Sequence, residues 1–475
     1  MRVENKQSNY SQWIYILFPA IAMLLGWGLR GFIGGGPFGA MIPGAMVAIS
    51  ISLLLELPPA VAAMFTVFSV VGIGLGGEMT YGQTLGFLRH PETVWWGTIG
   101  TTVKGGVWGL LGGILMGLGL IYNRLPKRVI VYTLLLLLFG MLIGFKLINQ
   151  PMVIYFSDPA KPRPESWGAL LVGSLVLLLY LRTKIEKVDF KLINRFALWG
   201  LLGGALGFGL GGFWMVLGSQ LPKEGVFQNW WKMMEFTFGL LLGAAYGRAA
   251  WLSRNELDQE TKISRPYPDS KLKTTAIELV GSLIIGFLIF WFFSSCLDPV
   301  VDAGSMNHGF SMVNLTDLAK LLSNYAFYGL IMIVAVMRYP NLAWQIAITL
   351  TFSHTVIDLM DSVYPDSPSN TLLTPSFFIV FSSSTIVALV TYYLQRHANV
   401  LHRIFLLLIW STVIVAFSRL TLKPELLDLT GLSLMDLVFG RFFVHLIFTI
   451  SAIYCSSISF MILKNRINLN QQNEN

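Results

Sequence analysis

Long apolar runs, separated by short polar segments, recur along the whole chain. A helix of about 20 residues rises about 30 Å and so crosses the hydrocarbon core of a bilayer. Because lipid offers the backbone no hydrogen-bond partners, only helices and closed barrels span it, and these runs are too long and too evenly apolar for barrel strands. The pattern predicts an all-α, polytopic integral membrane helical bundle.

The runs predict about 14 transmembrane helices, within a range of 12–14. The first eight predicted spans cover residues 13–33, 38–55, 59–77, 94–121, 129–148, 167–181, 196–218 and 230–252. The last six cover residues 274–296, 317–337, 340–358, 374–395, 400–418 and 434–463.

The loop charges test this count independently. Lysine and arginine collect in alternate loops, as in 124–128 and 182–195, whereas the opposite loops carry aspartates such as Asp158, Asp358 and Asp361. Cytoplasmic loops are the basic ones, so both termini are predicted in the cytoplasm and the chain in the cytoplasmic (inner) membrane. The net charge of +8 is spread over these loops and forms no single patch, so the expected partner is the lipid bilayer and not nucleic acid.

Glycine divides the chain into two halves. Of the 46 glycines, 39 precede residue 251 and 7 follow it. Because glycine lets membrane helices approach closely, we predict a tightly packed, glycine-rich eight-helix unit over 1–252 and an ordinary six-helix unit over 274–475. The charged segment 253–273 between them is predicted to be a cytoplasmic linker.

The glycine-rich unit shows an internal similarity between 70–119 and 205–254. At a shift of 135 residues the glycines of 72–77 fall on those of 207–212, and Trp95-Trp96 falls on Trp230-Trp231. The two copies have the same predicted orientation, so the sequence predicts a parallel repeat. Tryptophan favours the membrane interface, which is the simpler interpretation of the two pairs.

Only the first copy of the repeat carries a polar string after its glycines, made of Glu78, Thr80, Tyr81, Gln83 and Thr84. Arg30 ends the first span on the same predicted side. A charge in hydrocarbon costs about 3 kcal/mol on insertion scales, so we expect a Glu78–Arg30 pair unless both simply reach the outer surface.

Lys104 lies too deep in the fourth span for its ammonium to reach the interface easily. Glu235 lies on the equivalent helix of the second copy, and we expect the two to pair. A fixed structural ion pair is the alternative to a functional one, because a buried pair is weak evidence for either.

The second half offers a different chemistry. His354 and Asp358 are four residues apart, as are Arg441 and His445, so each pair shares one face of a helix. Histidine beside a carboxylate can exchange protons near neutral pH, which is suited to proton coupling. The alternative is a polar cluster that holds helices together.

Several chemistries find no support in the sequence. It contains no G-x-S-x-G, P-loop or H-E-x-x-H motif, and its two cysteines form no metal-binding pattern, so no cofactor or metal is expected. The repeat, the intramembrane charges and this absence lead us to expect a secondary transporter or permease for a small polar or anionic solute. Arg30, Glu78, Lys104 and Glu235 are expected to line its binding site, with hydrogen bonds from Thr80, Tyr81 and Gln83. The alternatives are a membrane-embedded transferase that uses His354 at the outer face, with Arg441 and His445 around a donor group, and an assembly or scaffold subunit.

Overall fold

The computed structural model describes residues 10–33, 35–163, 165–221, 229–257, 278, 280, 325–367, 373–422, 431 and 433–474. All regular secondary structure in these residues is helical. Eleven of their helices are long and apolar enough to cross a membrane, which confirms the helical, polytopic class. The predicted number of about 14 spans stays a prediction, because only residues 278 and 280 of the span 274–296 are described.

The helices of the first half follow the predicted spans. They are α1 (Gln12–Ile33), α2 (Gly36–Leu54), α3 (Pro59–Gly76), α4 (Gly82–Phe87), α5 (Val94–Leu120), α6 (Lys127–Gly144), α7 (Trp167–Lys184), α8 (Lys187–Gln220) and α9 (Trp230–Ser253). Two differ from the prediction: α4 is a short additional helix, and α8 begins well before residue 196.

The second half contains five described helices. They are α10 (Tyr325–Arg338), α11 (Leu342–Val363), α12 (Pro375–Leu394), α13 (Val400–Leu422) and α14 (Phe443–Glu474). One π-helical turn, Ile346–Leu350, lies inside α11, and another, Asp436–Arg441, precedes α14.

Proline sets the start of several helices. A proline occupies the first or second position of α2, α3 and α12, where its missing N–H has no intrahelical partner to lose. At α12, the Thr374 hydroxyl also accepts a hydrogen bond of 3.2 Å from the Phe377 backbone N–H. These local signals explain why helix starts could be predicted closely.

Glycines form the contact between α5 and α8. Gly105, Gly109, Gly113 and Gly117 recur every fourth residue and so share one face of α5. A methyl group on Gly109 would overlap the carbonyl oxygen of Gly200, and the reverse holds as well. The two backbones therefore touch directly, as expected of small-xxx-small packing.

A similar glycine face joins α9 to α1. Gly239, Gly243 and Gly247 of α9 lie against the α1 backbone, and a methyl group on Gly247 would overlap the Tyr15 carbonyl oxygen. Packing also links the two halves of the chain, since α3 contacts α10 and α1 contacts α14. The division into two units with a 253–273 linker stays a prediction, as does the repeat.

Ion pairs stabilise the end of the bundle that the loop charges assign to the cytoplasm. Arg124 after α5 lies 2.7 Å from Asp189, and Arg195 on α8 lies 2.9 Å from Glu256. The hydrogen bonds from the Arg195 guanidinium hold the pKa of Glu256 below its usual value. At this end, each of these two arginines thus has a carboxylate partner.

Candidate functional site

A cavity of about 450 Å³ lies at the opposite end of the bundle. It brings together four residues that the sequence singled out in distant segments, Arg30, Tyr81, Glu235 and Asp358. The rest of the lining is Gly31, Gly35, Trp231, Leu359, Ser362 and Arg419. The lining comes from helix ends that the loop charges assign to the outer side. It includes residues from both halves of the chain, which therefore form one site.

Arg30 is the most deeply buried cation of this lining, with 2% of its surface exposed. Its Nη1 donates to the Tyr81 hydroxyl, and its Nη2 donates to the Gly36 carbonyl oxygen over 3.4 Å. The guanidinium lies 5.0 Å from the ring centre of Trp27, 5.4 Å from that of Tyr81 and 5.5 Å from that of Trp108. Aromatic faces attract a guanidinium, so this cage fixes its position.

Among the residues that the structure describes, no carboxylate pairs with Arg30, and its Nε atom has no hydrogen-bond partner. Within the described residues, its hydrogen bonds and ring contacts are to neutral oxygens and aromatic side chains, while the carboxylates of Glu235 and Asp358 lie elsewhere in the same lining. A buried charge in a membrane helix ordinarily finds an opposite charge or water, so this arrangement favours an anion in the cavity.

The predicted Glu78–Arg30 pair does not form within the described part of the chain. Glu78 lies in the turn after α3, and its Oε1 accepts a hydrogen bond of 3.0 Å from the Tyr325 backbone N–H. Burial raises the pKa of Glu78 to about 6, although the Tyr325 N–H acts in the opposite direction. Glu78 thus joins α3 to the start of α10.

The predicted Lys104–Glu235 pair is wrong. Glu235 lies 2.6 Å from the ammonium of Lys232, one turn earlier on α9, and its Oε1 accepts a hydrogen bond of 2.9 Å from the Trp231 indole. The carboxylate packs directly on Gly31, where a methyl group would overlap it. Glu235 therefore shapes the cavity wall while its charge is balanced locally.

Lys104 pairs instead with Glu165, in the segment before α7. Its Nζ lies 2.8 Å from Glu165 Oε1, 2.6 Å from the Thr80 carbonyl oxygen and 2.8 Å from Thr84 Oγ1. Only 1% of Lys104 is exposed, and it is not part of the cavity lining. Its three contacts satisfy all three ammonium donors, so Lys104 and Glu165 form a structural ion pair with no donor left for a solute.

Glu165 is equally well satisfied. Its carboxylate also accepts hydrogen bonds from the Phe156 backbone N–H at 3.1 Å and from the Ser157 hydroxyl at 2.8 Å. Gln83 has a similar structural task, because its side chain donates to the Lys161 carbonyl oxygen and accepts from the Asp158 N–H. Two residues of the polar string, Gln83 and Thr84, therefore hold part of the segment before α7 in place, since the Thr84 hydroxyl also donates to the Phe156 carbonyl oxygen.

His354 and Asp358 form the predicted pair on α11, with 3.1 Å between Nε2 and Oδ2. Asp358 lines the cavity, while His354 is buried and lies 3.4 Å from the Gly35 carbonyl oxygen. A histidine thus stands behind the carboxylate that faces the cavity. A histidine and a carboxylate at this distance are suited to exchange a proton with each other.

Arg441 and His445 are not brought into this cavity. His445 is buried at the start of α14 with its ring 4.9 Å from that of Phe417, and Arg441 ends the π-helical turn before α14. The residue that sequence reasoning missed is Arg419 on α13, which lines the cavity. Its signal was available, since an arginine on the predicted outer side is an exception to the positive-inside rule.

The helices and this cavity define the class, a polytopic helical membrane protein with a charged cavity between its helix ends. Comparison of the chain with protein-family models, with curated proteins and with solved structures found no match. Within the described residues, no group of three histidine, cysteine or carboxylate side chains is placed to hold a metal ion.

Proposed function

We propose that the protein is a secondary transporter or permease of the cytoplasmic membrane, and that its solute is a small anion bound in this cavity. The observation that carries the proposal is Arg30, a buried cation in the cavity wall that has no carboxylate partner among the described residues. An anionic solute would supply the missing charge.

The balance of charge in the lining supports an anion over a cation. Of the two carboxylates in the lining, Glu235 is paired with the Lys232 ammonium, whereas Asp358 contacts His354, which is positive only when protonated. Within the described residues, one carboxylate without a lysine or arginine partner thus shares the lining with the guanidinium of Arg30. Arg419 adds a second guanidinium to the wall. A guanidinium offers planar, paired donors that match a carboxylate, phosphate or sulfate.

The lining also offers groups that would orient a solute. Tyr81 and Ser362 bring hydroxyls, and Trp231 brings an indole ring. His354 and Asp358 would couple solute entry to proton movement, since Asp358 lines the cavity and His354 contacts it from behind. Thr80, Gln83 and Lys104 are assigned to the frame and not to solute contact, because their polar groups hold other parts of the protein.

The test is uptake by the purified full chain in liposomes. Radiolabelled sulfate, phosphate, acetate and succinate are offered in turn, with and without an inward proton gradient. We expect at least one of them to accumulate, and we expect Arg30→Gln to abolish this uptake while the exposed control Arg182→Gln does not. Absence of any uptake or binding for all four anions, or equal uptake by Arg30→Gln, would overturn the proposal.

The transferase alternative receives less support. It needs Arg441 and His445 around a donor group near His354, but neither residue lines the cavity that Asp358 faces. A scaffold function does not explain why the charge of Arg30 is buried in a cavity wall. Transport of an anion accounts for both observations.

A further inference from the structure

A second cavity, of about 730 Å³, lies on the outer surface of the bundle between α6 and α7. Its α6 wall is apolar and faces outward, with Tyr132 56% exposed, Leu135 49% and Phe139 58%. A basic residue from each helix, Arg128 and Lys184, lies at one end. The groove therefore combines an apolar wall with a positively charged mouth.

The dimensions of the groove match one half of a bilayer. Arg128, Tyr132, Leu135 and Phe139 follow one another at spacings of four, three and four residues, so they share one face of α6. At 1.5 Å per residue this face is about 16 Å long, close to half of the ~30 Å hydrocarbon core. An acyl chain of a single leaflet would run along it.

The mouth of the groove is suited to a negative head group. Neither Arg128 nor Lys184 pairs with a carboxylate within the described part of the chain. The acidic residue closest to them in sequence is Glu186, which is exposed, while Lys127 and Arg182 add further positive charge nearby. The loop charges assign this end to the cytoplasmic leaflet, where anionic lipids and basic residues attract each other.

We propose that this groove binds one anionic glycerophospholipid, with its head-group phosphate between Arg128 and Lys184 and one acyl chain along the α6 face. The proposal is independent of the transport activity. It rests on the charge of the mouth and on the length of the apolar α6 face.

Native mass spectrometry of the detergent-purified full chain tests the proposal with phosphatidylglycerol and phosphatidylcholine of identical acyl chains. We expect one tightly retained phosphatidylglycerol and weaker retention of phosphatidylcholine. The double variant Arg128→Gln/Lys184→Gln should weaken phosphatidylglycerol binding about 30-fold, as expected for the loss of two interfacial cations. The matched control Lys127→Gln/Arg182→Gln removes the same charge from the same end but leaves the groove lining intact.

A second variant, Leu135→Trp, fills the groove without changing its charge and should also displace the lipid. All substituted residues are exposed, so folding can be verified by gel filtration and melting in lipid-free detergent. Equal binding of the two lipids, equal losses in the two double variants, or a dimer that occupies the groove in place of lipid would overturn the proposal.

Discussion

Lys104 and Arg30 are both buried cations in membrane-spanning helices, yet their surroundings differ. Lys104 has a carboxylate, a carbonyl and a hydroxyl within 2.8 Å, and it is shut off from the cavity. Arg30 has two neutral oxygens and three aromatic rings, and it lies in the cavity wall. Within the described residues, Lys104 is paired with a carboxylate and Arg30 is not.

The neighbours of a buried cation distinguish a structural residue from one that binds solute. A buried ion pair with all its donors satisfied costs about as much desolvation as it returns in attraction, so it serves mainly to fix structure. A buried charge without its counter-charge is costly and is retained where function needs it. Depth in the membrane alone therefore does not identify a binding residue, whereas the charge of its neighbours does.

The largest effect on stability is expected from breaking the Lys104–Glu165 ion pair. Lys104→Met leaves Glu165 buried without its cation, which should destabilise the protein by about 3–5 kcal/mol. Unfolding in a denaturing detergent measures the loss. The double variant Lys104→Met/Glu165→Gln should recover most of it, because the unpaired charge is gone.

The exposed lysine at the start of α6 provides a matched control, since Lys127→Met should change stability by less than about 0.5 kcal/mol. If Lys104→Met were as stable as this control but abolished anion uptake, Lys104 would belong to the recognition site and the contrast with Arg30 would fail.

Substitution of Arg30 should have the opposite effect, which is a loss of anion binding without a loss of stability. Arg30→Gln should weaken anion binding roughly 10- to 100-fold, as for the loss of a charged hydrogen bond worth about 1.5–3 kcal/mol. Its stability should be unchanged or higher, since a buried charge disappears. Arg30→Lys should not restore binding, because an ammonium lacks the planar donors that stack among the rings.

Isothermal titration with the anion found by uptake measures this affinity, and unfolding of the same variant measures stability. A large loss of stability in Arg30→Gln, with affinity unchanged, would show that Arg30 is a frame residue like Lys104.

The helices could be predicted from sequence because each apolar run and each proline acts locally. Predicted span 94–121, for instance, corresponds to Val94–Leu120. The burial of Lys104 was predictable for the same reason, since its depth follows from its position in the run. Its partner was not, because Glu165 lies 61 residues away in an irregular segment whose position is set by tertiary contacts.

Several residues of the candidate site could be predicted from the sequence, but the contacts between them could not. The repeat symmetry suggested Glu235 as the partner of Lys104. The actual partner of Glu235 is Lys232, which lies three residues away in the sequence and so on the same face of the helix. That Arg30 and Asp358 share one cavity depends on how α1 and α11 pack, and no periodicity contains that information.

The pH dependence of stability tests whether Arg30 lacks a carboxylate. The pKa of Glu78 is raised from its ordinary 4.5 to about 6, so its protonated form stabilises the fold below pH 4.5 and this contribution is lost as pH rises through 6. The change is about 2 kcal/mol. A Glu78–Arg30 pair would reverse the sign, with stability lost as pH falls.

Melting temperatures of the wild type and of Glu78→Gln, measured from pH 4 to pH 8, distinguish the two cases. Glu78→Gln should flatten the profile by keeping the side chain neutral at every pH. A wild-type profile that rises with pH through this range and is flattened by Glu78→Gln would show that Glu78 has a cationic partner, and loss of that slope in Arg30→Gln would identify the partner as Arg30.

The smallest effect is expected from a change of shape without charge. In Gly31→Ala the new methyl group would overlap the Glu235 carboxylate, which can move away because it ends a flexible side chain. Such a displacement costs about 0.5–1.5 kcal/mol of stability and alters the cavity wall, so anion affinity should fall several-fold. Gly86→Ala is the matched control, because a methyl group there meets open space. Equal affinity in the two variants would mean that the wall formed by Glu235 does not contribute to anion binding, and recognition would then rest on the other residues of the lining.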